Sequence, residues 1–126
     1  MRDDLLLSVE AVGGCLVGRL SGATDLSSAA ELDGELRNIV ALGERHLVVD
    51  LSKATFLDSA ALAALVSAHY RARVLGGSVR LAGATGPVRT ILETTHVDRI
   101  LEHHDDVAAA VAAAVSPDRD SIAESA

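Results

Sequence analysis

Two short stretches near the start of the chain alternate hydrophobic and polar side chains, which is the pattern of β-strands. The first covers residues 5–11 and the second covers residues 15–21. Gly13 and Gly14 lie between them and can supply the positive φ angles of a tight turn. The pattern predicts that the chain opens with a β-hairpin.

The next stretch predicts an amphipathic helix followed by a buried strand. Hydrophobic side chains recur at helical spacing over residues 29–40, after the capping candidates Asp25 and Ser27 and before Gly43. Residues 46–51 then form a short apolar run that ends in polar residues. Such a run is typical of a strand covered on both faces, so we expect it at the centre of a sheet.

A second helix–strand–helix series follows. The helical pattern starts at Ser59 and continues to residue 75, where two glycines end it. Residues 78–82 have the composition of another strand. The loop over residues 83–87 leads to Pro87, which suits the first turn of a short helix through Thr94.

The last part of the sequence predicts one edge strand, one helix and a tail. Residues 96–101 could hold a brief edge strand, and Asp105 or Asp106 can cap a helix that docks through the stripe Val107, Val111 and Val115. Residues 116–126 lack periodicity and are predicted to be a flexible tail after a domain at residues 1–115. The order of elements predicts an α/β fold: a mixed, mostly parallel sheet with an N-terminal hairpin and about four helices.

Composition limits the classes of partner. The 126-residue chain has a net charge of -7 and 2% aromatic residues, which disfavours a nucleic-acid partner. The acidic start lacks the features of a signal peptide, and the longest apolar run, residues 107–115, is too short to cross a membrane as a helix. We therefore expect a cytoplasmic protein with no membrane association. Cys15, the single cysteine, is expected to be a buried thiol of a strand.

Ser59 is the residue with the most suggestive position. It follows Asp58 at a predicted strand-to-helix corner, where backbone N–H groups favour negative charge. A phosphate there would add about -1.5 to -2 charges beside Asp58 and change the surface more than the fold. Both residue types also serve as ordinary helix caps, and the local chemistry alone leaves both interpretations open.

Three segments together resemble the STAS domain of bacterial anti-sigma factor antagonists. They are residues 20–25 (Leu-Ser-Gly-Ala-Thr-Asp), residues 48–52 (Val-Val-Asp-Leu-Ser) and residues 56–62 (Phe-Leu-Asp-Ser-Ala-Ala-Leu). The resemblance covers approximately residues 5–115. The sequence departs from the family at Ala60, where Ser or Thr is usual, and at Ala61, where Gly is frequent.

The resemblance implies a regulator of transcription that switches partners during a stress response. The unphosphorylated protein would bind an anti-sigma factor with serine kinase activity and thereby release a sigma factor. Phosphorylation of Ser59 would abolish that binding until a protein phosphatase reverses it. The residues implied in partner binding are Gly22, Thr24, Asp25, Asp58, Ser59, Ala60 and Leu62.

Other interpretations of the sequence remain. A non-switching STAS subunit of a transport or signalling assembly would use Ser59 as a helix start and nothing more. An enzyme is disfavoured because residues 57–61 lack the G-x-S-x-G elbow, and residues 83–87 lack the Lys and Ser/Thr of a phosphate-binding loop. We predict no catalytic residue, cofactor or metal site, and we assign residues 103–106 to a solvated loop and helix cap. The apolar helices could form a weak homodimer.

Overall fold

A five-stranded sheet forms the centre of the protein, as seen in a computed structural model that describes residues 7–115. The strands are β1 (Leu7–Val12), β2 (Cys15–Ala23), β3 (His46–Phe56), β4 (Ser78–Ala82) and β5 (His103–His104). Their order in the sheet is their order in the chain; β1 and β2 are antiparallel and the other neighbours are parallel. The mixed sheet with an N-terminal hairpin is therefore confirmed, and β3 is its central strand. The predicted tail at residues 116–126, and residues 5 and 6 of the first predicted strand, lie outside the described residues.

Four helices cover the two faces of this sheet. They are α1 (Leu26–Ala41), α2 (Ser59–Val74), α3 (Gly86–Thr94) and α4 (Val107–Ala114). Helices α1, α2 and α3 pack on one face against side chains such as Leu47 and Val49, whereas α4 packs on the other face against Val48. The side chains of β3 point alternately into these two apolar cores, which explains why residues 47–49 are hydrophobic without interruption. Within residues 7–115, no helix combines the length and apolarity needed to cross a membrane.

The docking of α4 differs from the valine stripe predicted from the sequence. Its buried residues are Ala110 and Ala114, whereas Val107 and Val111 are partly buried and Val115 is 41% exposed. Alanine allows the helix backbone to approach Val48 and Cys15 closely, and Val107 and Val111 pack at the border of this contact, so the prediction is correct for two of the three valines. Cys15 is 4% exposed, as expected for a buried thiol.

The prediction of an edge strand within residues 96–101 is wrong. His96 has a left-handed backbone conformation, with φ of 64°, and Val97–Arg99 form a 3-10 turn that continues to Ile100. A left-handed residue followed by helical hydrogen bonds interrupts any extended run, despite the apolar sequence. The edge strand is His103–His104 instead, where the sequence predicted a solvated loop.

Strand β3 extends five residues further than its apolar run, to Phe56. The polar extension remains in the sheet because it pairs with the end of β2, through register shifts near Ser21 and Ala23. This pairing brings the loop after β2 beside the loop after β3. It thereby sets the position of the two helix starts described next.

Candidate functional site

Two helices begin side by side at the carboxyl ends of β2 and β3. Helix α1 starts after Asp25 and α2 starts after Asp58, and each of these aspartates is the N-cap of its helix. The Thr24 N–H donates to the Phe56 carbonyl at 3.0 Å and so joins the two loops. The carboxyl edge of a parallel sheet is where such proteins commonly present their binding residues.

The Thr24 hydroxyl makes two hydrogen bonds to Asp58, one with its backbone and one with its side chain. The Asp58 backbone N–H donates to Thr24 Oγ1 at 2.8 Å, and that hydroxyl donates to Asp58 Oδ1 at 3.0 Å. The same Oδ1 accepts from the Ala61 N–H at 3.0 Å, which caps α2. Thr24 is 6% exposed, so it fixes the site from beneath instead of presenting its side chain to a partner.

The carboxylate and the backbone N–H of Asp25 both form hydrogen bonds at the start of α1. Its carboxylate accepts from the Ser28 N–H at 2.9 Å, and Ser28 Oγ accepts from the Asp25 N–H at 2.9 Å, which completes a capping box. The backbone hydrogen bond from Ser28, and then the bond from its hydroxyl, lower the pKa of the Asp25 carboxyl below its ordinary value. The exposed carboxylate therefore carries its charge on the rim of the site. Ser27, the other capping candidate, lies inside the first turn.

Ser59 is the first residue of α2 and is exposed to solvent. Its hydroxyl makes no hydrogen bond to any residue in the described part of the chain. The amides of Ser59 and Ala60 lie in the first helical turn, where no intrahelical acceptor exists for them. The serine is thus accessible at a position held rigid by Asp58, its neighbour.

The remaining predicted site residues occupy different environments. Gly22, the residue before the end of β2, has a φ of 79° and open space at its Cβ position, so it acts on the chain path through its backbone. Ala60 is partly exposed next to Ser59. Leu62, in contrast, is 6% exposed and packs in the core under α1 and α2. A direct partner contact by Leu62 does not fit this burial.

A groove beside Ser59 was not predicted from the sequence. It runs between the first halves of α1 and α2, and its volume is about 280 Å³. The residues that line it are mainly small: Leu26, Ala29, Ala30, Asp33, Ala60, Ala63, Ala64 and Ser67. Leu26 is 77% exposed at its mouth, and Phe56, on the same edge of the sheet, is 47% exposed. Leu26 lies three residues before the buried Ala29, so helical periodicity alone would have placed it inside.

The histidines near the C-terminus serve the sheet. His103 Nε2 accepts from the Ala84 N–H at 3.0 Å, which attaches β5 to the loop after β4. Burial, followed by the charge of Arg89, lowers the pKa of His103 below its ordinary value. Among residues 7–115 there is no cluster of three or more His, Cys, Asp or Glu side chains that could hold a metal ion.

Comparison with known proteins connects this geometry to a family. The family model described as the STAS domain matches residues 7–110. One relative is BtrV of Bordetella bronchiseptica, whose name proposes it as an anti-sigma factor antagonist. It is 29% identical to this chain over 87 residues, and these are 69% of this chain and 75% of BtrV. The crystal structure of an anti-sigma factor antagonist from Mycobacterium paratuberculosis is 27% identical and superimposes with a TM-score of 0.79 over 90% of this chain and 97% of that one.

A more distant structure shares the fold. The Bacillus cell fate determinant SpoIIAA, solved in its phosphorylated form, is 13% identical and has a TM-score of 0.64 over 82% of this chain and 95% of its own. Its unphosphorylated form, described as an anti-sigma factor antagonist, has a TM-score of 0.59. Because the family model of the STAS domain matches residues 7–110, which are most of the sequence, this chain belongs to the STAS domain family.

Proposed function

We propose that this protein is an anti-sigma factor antagonist that is switched off by phosphorylation of Ser59. In the unphosphorylated state it binds an anti-sigma factor with serine kinase activity, and that binding releases a sigma factor. The kinase then transfers the terminal phosphoryl group of ATP to the Ser59 hydroxyl, with loss of its proton, and the complex separates. A protein phosphatase restores the binding state by hydrolysis of the phosphate ester.

The observation that carries this proposal is the exposed, unbonded hydroxyl of Ser59 at a rigid helix start. A kinase needs an acceptor hydroxyl that can enter its active site without breaking the fold. The Thr24–Asp58 hydrogen bonds hold the backbone of the helix start, while the Ser59 side chain makes no bond that would have to be broken. The names of the related antagonists support the class of partner.

The surroundings of Ser59 explain how a phosphate could end binding. The chain carries a net charge of -7, and Asp25 and Asp58 already lie on this edge of the sheet. An added charge of about -1.5 to -2 would turn the rim strongly anionic. A partner surface that fits the neutral hydroxyl and the small groove would then face added bulk and desolvation of a charged group, which costs several kcal/mol when no cation compensates it.

Ala61, the departure from the family pattern, does not obstruct this surface. Its side chain is 0% exposed and belongs to the core under α2. A methyl group in that position faces the sheet, away from the side on which Ser59 is accessible. Replacement of Gly by Ala is therefore compatible with the approach of a kinase.

Transfer of phosphate to Ser59 is the direct test. The purified protein is incubated with Mg-ATP and each ATP-binding anti-sigma factor from its own genome, and the modified residue is mapped by mass spectrometry. We expect one phosphate on Ser59, no transfer to Ser59→Ala, and normal transfer to Ser27→Ala. Ser27 is a matched control because it is exposed in the first turn of α1.

A different pattern would count against the proposal. Phosphate on another serine, or no transfer by an anti-sigma factor that binds the protein tightly, would remove Ser59 from the mechanism. The second outcome would favour a STAS subunit that binds without switching.

A further inference from the structure

A second groove lies between the same two helices at the opposite end of the sheet from Ser59. Helices α1 and α2 both start at the Ser59 edge, so their last turns meet at the other edge. The groove between these turns, here called the distal groove, has a volume of about 580 Å³. It is lined by Arg37, Val40, Ala41, Arg71, Val74 and Leu75.

The distal groove is bordered by large aliphatic side chains that are open to water. Val74 is 84% exposed, Leu75 is 46% exposed, and Leu42, which follows the α1 lining residue Ala41, is 82% exposed. A cluster of exposed aliphatic side chains next to a groove is typical of an interaction surface. An apolar groove between two helices is a surface that can take the apolar face of a third helix.

The polar atoms of the distal groove are cationic. Arg71 Nη1 is buried and has no hydrogen-bond partner among the described residues. Arg37 lies on the opposite wall and donates through Nε to Asp33 at 2.8 Å. Arg71 is partly exposed in the groove and makes no ion pair with a described residue, and a carboxylate is the group that a guanidinium binds best.

Further arginines extend this basic character around the groove. Arg45 Nη1 lies 3.9 Å from the position that a Cβ on Gly76 would take, directly after Leu75. Arg73 is in the last turn of α2. Glu44 lies in the loop that carries Arg45, and Asp33 pairs with Arg37, so Arg71 is the cation of the groove lining that has no ion pair among the described residues.

We propose that the distal groove binds an acidic amphipathic helix of a partner protein. Its apolar side chains would cover Val40, Val74 and Leu75, and one of its carboxylates would accept from the guanidinium of the partly exposed Arg71. A second copy of this chain fits the groove less well, because a two-fold interface would place Arg37 and Arg71 against the same arginines. This surface is separate from Ser59, so its occupancy does not depend on phosphorylation there.

Two synthetic helical peptides test the proposal. Both carry the same Leu stripe, and the flanking residues are Glu in one and Lys in the other. Binding to the nitrogen-15-labelled protein is followed by amide NMR spectra. We expect the Glu peptide to shift amides of the distal groove and to bind at least about tenfold more tightly than the Lys peptide.

Single substitutions test which side chains of the distal groove bind the Glu peptide. Arg71→Met retains the aliphatic stem and removes the donor, and we expect it to weaken the Glu peptide about tenfold. Val74→Ser should also weaken it, and it leaves the fold intact because Val74 is highly exposed. Arg99→Met is the matched control on the 3-10 turn, away from the groove, and should change binding less than about twofold.

Three results would overturn the proposal. They are equal binding of the two peptides, amide shifts confined to the Ser59 edge, and dimerisation in sedimentation experiments that Val74→Ser abolishes. The last result would assign the groove to a second copy of the chain. None of them bears on phosphate transfer to Ser59, which is measured separately.

Discussion

At the scale of single residues, Thr24 is the side chain that holds the site together. Its hydroxyl both accepts from the Asp58 N–H and donates to the Asp58 carboxylate, and it is buried. The family resemblance identified Thr24 as a partner-binding residue, but its burial makes it a positioning residue. The sequence could not reveal this, since the bond joins residues 34 positions apart in the chain.

Replacement of Thr24 by Val tests that role. The shape is retained, but the Asp58 N–H loses its acceptor, which is expected to cost about 1–3 kcal/mol in the free energy of unfolding. Urea denaturation measures the change. Thr55→Val is the matched control, because Thr55 is exposed on β3, where a β-branched side chain is favourable. Equal stability of the two variants would show that the reciprocal hydrogen bonds are unimportant.

Gly22 acts on the chain path through its backbone, and a second glycine offers a contrasting control. Gly22 has a φ of 79° and open space around the Cβ position, so Gly22→Ala should lose about 1–2 kcal/mol through backbone strain alone. Gly34 also has open space at its Cβ position, but it lies inside α1, so Gly34→Ala should raise the free energy of unfolding by about 0.5–1 kcal/mol. Thermal unfolding should therefore shift in opposite directions for the two variants. A gain in stability by Gly22→Ala would contradict the left-handed geometry.

At the scale of elements, the hydrophobic patterns predicted the helices and strands of the central fold well. Helices α1 and α2 and strands β2 and β4 follow directly from periodicity and from capping residues such as Asp25 and Asp58. The errors occur where contacts between distant parts of the chain determine whether a segment is a strand. The polar end of β3 is a strand because β2 pairs with it, and β5 is two histidines that attach to β4. No local pattern specifies either pairing.

Helix α2 also carries a buried histidine that should make stability depend on pH. The Val79 N–H donates to His69 Nδ1 at 3.2 Å, which requires that nitrogen to be unprotonated. Burial, and then the charges of Arg73 and Arg80, lower the pKa of His69 below its ordinary value of 6.5. The unfolded chain therefore takes up a proton that the folded chain resists, and stability should fall as the pH decreases below about 6.5.

The midpoint of urea denaturation, measured at intervals from pH 7.5 to 5.5, checks this expectation. The wild-type midpoint should decrease on acidification, and the decrease should be smaller in His69→Gln, although that variant is less stable at every pH. The pKa of His103 is lowered as well, so part of the slope should remain in that variant. An unchanged slope in His69→Gln would contradict the assignment.

At the scale of the whole molecule, the sheet places two helix starts and the exposed Ser59 on one edge, and an apolar basic groove on the other. The sequence predicted the position of Ser59 at a strand-to-helix corner, and the family resemblance gave it a role. Neither grooves nor exposed side chains such as Leu26 could be predicted, because they depend on how α1 and α2 pack together. Under the proposed function, one phosphate would change the charge of the edge that carries Ser59.

The affinity of the anti-sigma factor for matched Ser59 variants tests the central claim most directly. Isothermal titration compares the wild type, Ser59→Ala, Ser59→Asp and the control Ser27→Asp. An acidic residue at a helix start is compatible with the fold in both Asp variants. We predict that Ser59→Asp binds at least about 100-fold more weakly, whereas Ser59→Ala and Ser27→Asp bind within about threefold of the wild type. Equal affinities of Ser59→Asp and Ser59→Ala would contradict a switch at Ser59.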